Sequence, residues 1–273
     1  MANSASYPTP AINHASVLDP STVITRSRLR LDLEQLGLRP GDTICVHSSC
    51  RTIGHLVGGP LMLLDVLLET LGPKGTLMAP TFTGDLSDPA RWKFPAVPPE
   101  MLEEVRNSLP GFHPERTPSR KMGVLPELLR HERGAVRSPH PQSSFTAVGA
   151  LAFELCGQHP LDFRFGPHSP LAALARHDGK VLMLGSPWNT ASFFYLTEYE
   201  MPDRTECTLA SPIATDTGVK WVEYRDLVYR NIAHPAVVHL VEHGMATRGL
   251  VGCSESVLFN AKKALAETLT WRH

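Results

Sequence analysis

The stretch TICVHSSCRTIGHLVGGPLMLLDVLLETLGPKGTLMAP, residues 43–80, decides the fold. It opens on Thr43-Ile44-Cys45-Val46-His47, a short run rich in β-branched side chains that breaks off at the small polar pair Ser48-Ser49, as a buried strand does. After the loop Arg51–Pro60, the apolar segment Leu61–Glu69 has helical length, and Gly72-Pro73-Lys74-Gly75 stops it. A second strand, Thr76–Pro80, runs into polar Thr81-Phe82-Thr83. Strand, loop, helix, turn and strand make a βαβ unit, which predicts an α/β fold with a mainly parallel central sheet covered by helices. In such sheets the carboxyl ends of the strands present the chemistry.

Upstream, residues 1–20 hold three prolines among Ser, Asn and Ala without apolar periodicity, and read as a flexible arm. Ser21 or Thr22 is expected to cap a helix reaching Leu36, followed by a turn at Leu38–Asp42. Residues 21–273 are read as a single α/β domain. Downstream, residues 84–120 are rich in Pro, Asp and Trp around one helix near Pro99–Leu109, a long excursion of the kind that often carries function. Helices are expected at Val124–Glu132, Ala147–Cys156 and Ser254–Thr270, a strand at Lys180–Leu184, and a hairpin built from Val219–Tyr224 and Arg225–Tyr229.

Composition excludes several function classes. With 42% hydrophobic and 19% charged residues the chain can bury a full core. Its longest apolar run is broken by Asp65 and Glu69, far short of the roughly 20 residues a membrane helix needs. No basic start and apolar core open the sequence as a secretory signal would, so a cytoplasmic location is expected. Cys45, Cys50, Cys156, Cys207 and Cys253 are odd in number and lack CxxC spacing, which argues against a disulfide framework and against structural zinc. A formal net charge of −1 gives nucleic acid no field to follow. The same balance lacks the acidic excess expected for binding a polycation.

No GxGxxG, P-loop, HExxH or GxSxG pattern is present. The polar segments after strands are therefore the candidates for chemistry. His47-Ser48-Ser49 either helps polarise a carbonyl where an oxyanion develops or caps the next turn of chain. His140, fixed between Pro139 and Pro141, is either aimed into a cleft or bonded to a loop carbonyl. His168, in Gly166-Pro167-His168-Ser169-Pro170, is either a helix N-terminal residue or a site group.

Together these segments resemble the aminoglycoside 3-N-acetyltransferases. The match runs from about residue 22 to 270. It is carried by Leu36–Asp42, Val46-His47-Ser48-Ser49 with Ile53-Gly54 and Gly58-Gly59, Leu71–Leu77 with Pro80-Thr81, and Asp85–Pro89. Thr117–Arg120 with Met122-Gly123, Arg137-Ser138 with His140-Pro141 and Ser144-Phe145, Ser169-Pro170-Leu171, Asp178-Gly179, Leu184-Gly185 and Leu196-Thr197-Glu198 complete it. The resemblance implies a three-layer α/β fold, acetyl-CoA or another acyl-CoA as co-substrate, no metal, and direct transfer of the acyl group to a small amine. It also implies that His47, Ser48, Ser49, Arg51, Thr81, Phe82, Ser143, Ser144 and Phe145 lie along the pantetheine and thioester. The loop 185–198, with Trp188, Asn189 and Phe194, would face the acceptor.

One position departs from the family. Where members carry the histidine credited with activating the amine, this chain has Tyr195, three residues before Glu198. A tyrosine with a pKa near 10 is a poor base at neutral pH. The catalytic candidates are therefore His168 as a replacement imidazole, Tyr195, Glu198 and His140. Phe193-Phe194-Tyr195 and Trp188 suggest a hydrophobic acceptor pocket. The expected activity is N-acyl transfer in antibiotic modification or specialised metabolism. The alternatives are a thioester-binding protein without catalysis and acyl transfer or hydrolysis from an acyl carrier protein. A homodimer is a further candidate assembly.

Overall fold

The computed structural model of the protein describes residues 18–271. Of the arm expected over residues 1–20, the part before Leu18 lies outside the described residues. Asp19 caps a 3₁₀ turn at Pro20–Thr22, so the first long helix is capped later than the sequence suggests. After β1 (Val23–Ile24), the Thr25 hydroxyl accepts from the Arg28 N–H at 3.3 Å and starts α1 (Arg26–Leu36). Then come β2 (Thr43–Ser48), α2 (Cys50–Ile53), β3 (His55–Leu56), α3 (Gly59–Leu71) and β4 (Thr76–Pro80), the expected βαβ unit.

The excursion holds 3₁₀ turns at Pro89–Arg91 and Pro99–Met101 and the short helix α4 (Leu102–Ser108). It is followed by α5 (Val124–Arg130), β5 (Val136–Arg137), β6 (Phe145–Gly149) and α6 (Ala152–Cys156). The helix expected from Ala147 starts only at Ala152, because Phe145–Gly149 pairs with β4 and the Leu151 N–H donates to Thr76 Oγ1 at 2.9 Å as the chain turns. Next are α7 (Pro170–Arg176), β7 (Lys180–Leu184), α8 (Tyr195–Glu198), β8 (Glu206–Thr215) and β9 (Gly218–Leu227). The hairpin turns at Asp216-Thr217, where small polar residues tolerate a tight turn, and Tyr224 and Arg225 lie mid-strand. The chain closes with α9 (Ala233–Glu242), β10 (Ala246–Val251), β11 (Ser254–Asn260) and α10 (Ala261–Thr270). The helix expected over Ser254–Thr270 is thus a strand and then a helix, divided at Asn260, whose side chain caps α10 by accepting from Lys263 N–H at 2.9 Å.

Seven strands form the central sheet in the order β10-β11-β7-β2-β4-β6-β5. The three middle strands, β7, β2 and β4, are parallel, as the βαβ unit requires. Both flanks are antiparallel, because β10–β11 is a hairpin and β6 returns against β4. Alternation along each strand sends side chains to opposite faces. Ile44, Val46, Leu77, Ala79, Leu182 and Leu184 pack under α1, α3 and α5. Cys45, Met78, Phe145, Val181, Met183 and Val257 pack under α6, α7, α9 and α10. The result is the expected three layers. No helix among the described residues is long and apolar enough to cross a membrane.

The excursion and the β8–β9 hairpin lie together over the sheet. Phe112 N–H donates to Pro212 O and Ala214 N–H to Phe112 O, both at 2.9 Å. The Arg137 guanidinium, its face over Phe112, donates to the Pro114, Thr117 and Thr81 carbonyls and to Ser144 Oγ. Burial lowers its pKa to about 10, still fully charged at neutral pH.

Candidate active site

The carboxyl ends of β2, β4 and β7 open into a cleft of about 180 Å³ lined by His47, Ser48, Ser49, Phe82, Lys121 and Thr190, among others. A wider groove of about 820 Å³, with Thr52, Trp188, Asn189, His234, Ser254 and Glu255 in its walls, adjoins it. The two share Ser49, Ser186 and Pro187, which form a saddle between them. Hydrogen bonds fix this saddle. Ser186 Oγ donates to His47 O at 2.9 Å, Ser49 N–H to Leu184 O at 3.0 Å, and Thr52 Oγ1 to Gly185 O at 2.8 Å. Since its N–H is committed, Ser49 can offer a ligand only its hydroxyl. Among the described residues the hydroxyls of Ser48 and Ser49 have no partner within the protein, leaving both as donors for a ligand oxygen.

His47 shares the face of Cys45 and stands at the bottom of the cleft, 7% exposed, with Nε2 at 3.4 Å from Ser192 Oγ. Burial pushes its pKa down to about 4, so the imidazole is neutral at pH 7. Phe82 is the cleft wall contributed by the loop after β4, and it packs edge-on against Phe145 at 5.2 Å. Thr81, Ser143, Ser144 and Phe145 are buried. Thr81 and Ser144 bond to each other, with Thr81 N–H donating to Ser144 O at 2.9 Å and Ser144 Oγ to Thr81 O at 2.8 Å. None of these four lines the cleft. Arg51 points from α2 as an exposed side chain and lines neither hollow. Trp188 and Asn189 line the groove as expected, whereas Phe194 is 1% exposed and belongs to the core.

The histidines proposed from sequence part company here. His140 is fully buried; its Nδ1 accepts from the Gln142 and Ser143 N–H groups at 3.1 and 3.2 Å, so Nε2 carries the proton and donates to Leu161 O at 3.2 Å. Both ring nitrogens are thus used within the protein. His168 is exposed at the start of α7 and lines a separate depression with Glu154, Gln158 and Arg176, sharing no wall with the cleft or the groove. It sits outside the two hollows that adjoin Ser49.

Tyr195 lines neither hollow. Its ring stacks on Phe165 at 5.0 Å and meets Tyr229 at 4.6 Å, and burial raises its pKa. Glu198, 3% exposed, accepts from the backbone N–H groups of Arg230 and Asn231 at 2.7 and 3.1 Å, clamping the chain after β9. Behind these residues is a buried network with no local sequence signal. Asp226, 0% exposed, pairs with Arg164 Nε at 2.5 Å and accepts from the Tyr199 and Tyr229 hydroxyls at 2.6 Å each. Arg164 also donates to Gln142 Oε1 at 2.9 Å.

A model of the aminoglycoside 3-N-acetyltransferase family matches residues 45–272. The chain belongs to that family. As a family member it is an acyltransferase. It is 35% identical over 266 residues to aminoglycoside N(3)-acetyltransferase VIII of Streptomyces fradiae, covering 91% of each chain. It is 34% identical to the prophage-derived aminoglycoside N(3')-acetyltransferase-like protein YokD of Bacillus subtilis, covering 90% of this chain and 92% of the relative. The crystal structure of YokD superposes with a TM-score of 0.87. The structure of AAC-IIIb, a binary complex with CoASH, superposes with a TM-score of 0.80 at 35% identity, covering 91% of this chain and 96% of the other. Within the aminoglycoside 3-N-acetyltransferase family, then, these relatives favour acetyl transfer over the binding-only and carrier-protein readings.

Proposed function

We propose that this chain transfers the acetyl group of acetyl-CoA to an amine of an aminoglycoside-class acceptor. The supporting observation is that a family relative solved with CoASH shares the fold over 91% of this chain, while this chain places the two free serine hydroxyls beside a neutral imidazole at the strand ends. In this reading the Ser48 and Ser49 hydroxyls hold the thioester carbonyl. The acceptor nitrogen attacks the carbonyl carbon, a C–N bond forms, and the C–S bond breaks as the electron pair leaves on the CoA sulfur. The nitrogen gives up a proton, which ends on the thiolate. His47 carries it across, because a nitrogen bonded to the tetrahedral carbon is acidic enough for a weak base to deprotonate.

A second reading of the acceptor, one with fewer positive charges than a polyamino sugar, is favoured by the charges in the walls. Lys121 is the charged side chain of the cleft, and Glu255 is the carboxylate of the groove. Glu255 Oε2 already accepts from Arg248 Nε at 2.8 Å. A polycation gains most from unpaired carboxylates. Mixing the protein with acetyl-CoA, a thiol-detecting reagent and two sets of amines decides both points. Amine-dependent thiol release supports N-acetyl transfer, and its absence with every amine overturns it. Higher kcat/KM on aminoglycosides than on monoamines overturns the low-charge acceptor.

A further inference from the structure

Lys121 has properties that acyl transfer to an amine does not by itself require. It lies in the left-handed region at φ 60°, a conformation that costs a non-glycine residue free energy and persists only where the surroundings enforce it. The enforcement is local: the preceding Arg120 N–H donates to Phe82 O at 2.7 Å, tying the segment to a wall of the cleft. The Lys121 side chain also lines that cleft, beside Ser48, Ser49 and Phe82. It is exposed, and among the described residues it makes no ion pair or hydrogen bond within the protein. Arg120, in contrast, faces Asp85 at 3.8 Å. The cleft therefore carries an unneutralised ammonium group at a rigidly placed backbone position.

A cation there repels a protonated amine and attracts a phosphate. The neighbouring groove has Trp188, Asn189, His234 and the Arg248-paired Glu255 in its walls and no lysine or arginine. We propose that Lys121 receives a phosphate of coenzyme A, so that the nucleotide end of the donor leaves the cleft past Met122 while the acceptor amine approaches from the Trp188 side of the saddle. This assignment rests on the acetyl-CoA reading above and names which hollow each substrate takes. The ammonium group acts as a point charge on the phosphate, which a guanidinium can replace and a neutral amide cannot.

The experiment compares donors that differ only in their phosphates. Binding of CoA and of pantetheine is measured by calorimetry for the unaltered protein, Lys121→Gln, Lys121→Arg and Lys121→Gly, and KM is measured for acetyl-CoA and acetyl-pantetheine. Loss of one charge-assisted contact weakens CoA binding roughly tenfold in Lys121→Gln. Pantetheine binding is unchanged, and Lys121→Arg restores CoA binding. Lys121→Gly relieves the left-handed backbone and still binds CoA as weakly as Lys121→Gln, which separates the charge from the strain. Equal losses for CoA and pantetheine, or no loss for either, overturn the proposal. Because binding needs no acceptor, an absence of acetyl transfer overturns the functional reading without affecting this readout.

Discussion

Ser192 Oγ lies 3.4 Å from Nε2 of His47, across the floor of the cleft. Ser192 is itself 3% exposed, so the ring is held from one side while its remaining exposure faces the cleft. Replacing His47 by Gln keeps a polar group of similar reach and removes the proton carrier. Turnover should fall by roughly two to four orders of magnitude, the usual contribution of a positioned acid or base, with KM for acetyl-CoA changed little. In the unaltered protein the profile of kcat/KM should lose activity as pH falls toward 4, where the imidazole becomes charged. An unchanged kcat in His47→Gln would remove this group from the reaction.

The replacement base suggested by the sequence gives a contrasting expectation. His168 is exposed beside α7, and Tyr195 has its hydroxyl pKa raised by burial. Neither is placed to take a proton in the cleft. His168→Ala and Tyr195→Phe should each keep kcat within about threefold of the unaltered protein, well below the loss of a positioned base. Steady-state kinetics at neutral pH checks both, and a large loss in His168→Ala would show that acceptor chemistry occurs away from the saddle.

Acid should unfold the protein through its buried imidazoles. Burial lowers the pKa of His47 and of His159 to about 4, and burial, with His159 and Arg164 nearby, lowers that of His140 well below its usual value. Between the unfolded value of 6.5 and these folded values the unfolded chain binds more protons, so stability rises with pH across that window. The contribution is complete above 6.5 and is lost as pH falls through 4. Each shift to about 4 corresponds to an order of 3 kcal/mol. Urea unfolding at successive pH values should show a midpoint that declines from about pH 7 to about pH 4.5 with little change in slope.

The Arg164–Asp226 pair carries a different stability risk. Asp226→Asn keeps an acceptor for Tyr199 and Tyr229 but leaves the Arg164 guanidinium, largely buried, without its counter-charge. The expected cost is about 3–5 kcal/mol. Adding Arg164→Met removes the stranded cation, so the double variant should be more stable than Asp226→Asn alone. Additive losses in the two single variants and the double would show that the charges are not coupled.

How far these groups can be foreseen depends on how local their cause is. β2, β4 and β7 are short apolar runs between turn residues, and their strand ends point to His47-Ser48-Ser49 from sequence alone. The antiparallel flanks depend on pairing between distant segments, and Ser254–Asn260 alternates too weakly to announce a strand. His140 and His168 look alike in sequence, each beside prolines. Packing buries one and exposes the other. Arg164 and Asp226 are 62 positions apart in sequence, and only the hairpin brings them together. Lys121 gives no local sign of its left-handed backbone.

Gly185 ends β7 at the saddle, at φ 61°. A Cβ placed there would collide with Thr52 Oγ1 and lie 2.7 Å from Ser254 Oγ. Those atoms belong to α2 and to the start of β11, so one methyl group would push apart three elements that meet where the cleft joins the groove. Gly185→Ala adds this overpacking to left-handed strain and should cost about 2–4 kcal/mol. It should also raise KM for donor and acceptor alike, because Gly185 precedes Ser186 and Pro187, which line both hollows. Gly218→Ala is the control: at φ 132° on the hairpin tip, its added Cβ meets nothing within 4 Å. Strain alone should cost about 1 kcal/mol there, with both KM values unchanged. Urea unfolding and two-substrate kinetics on the pair measure the difference, and equal effects in the two variants would mean that close packing at the saddle is not what shapes the site.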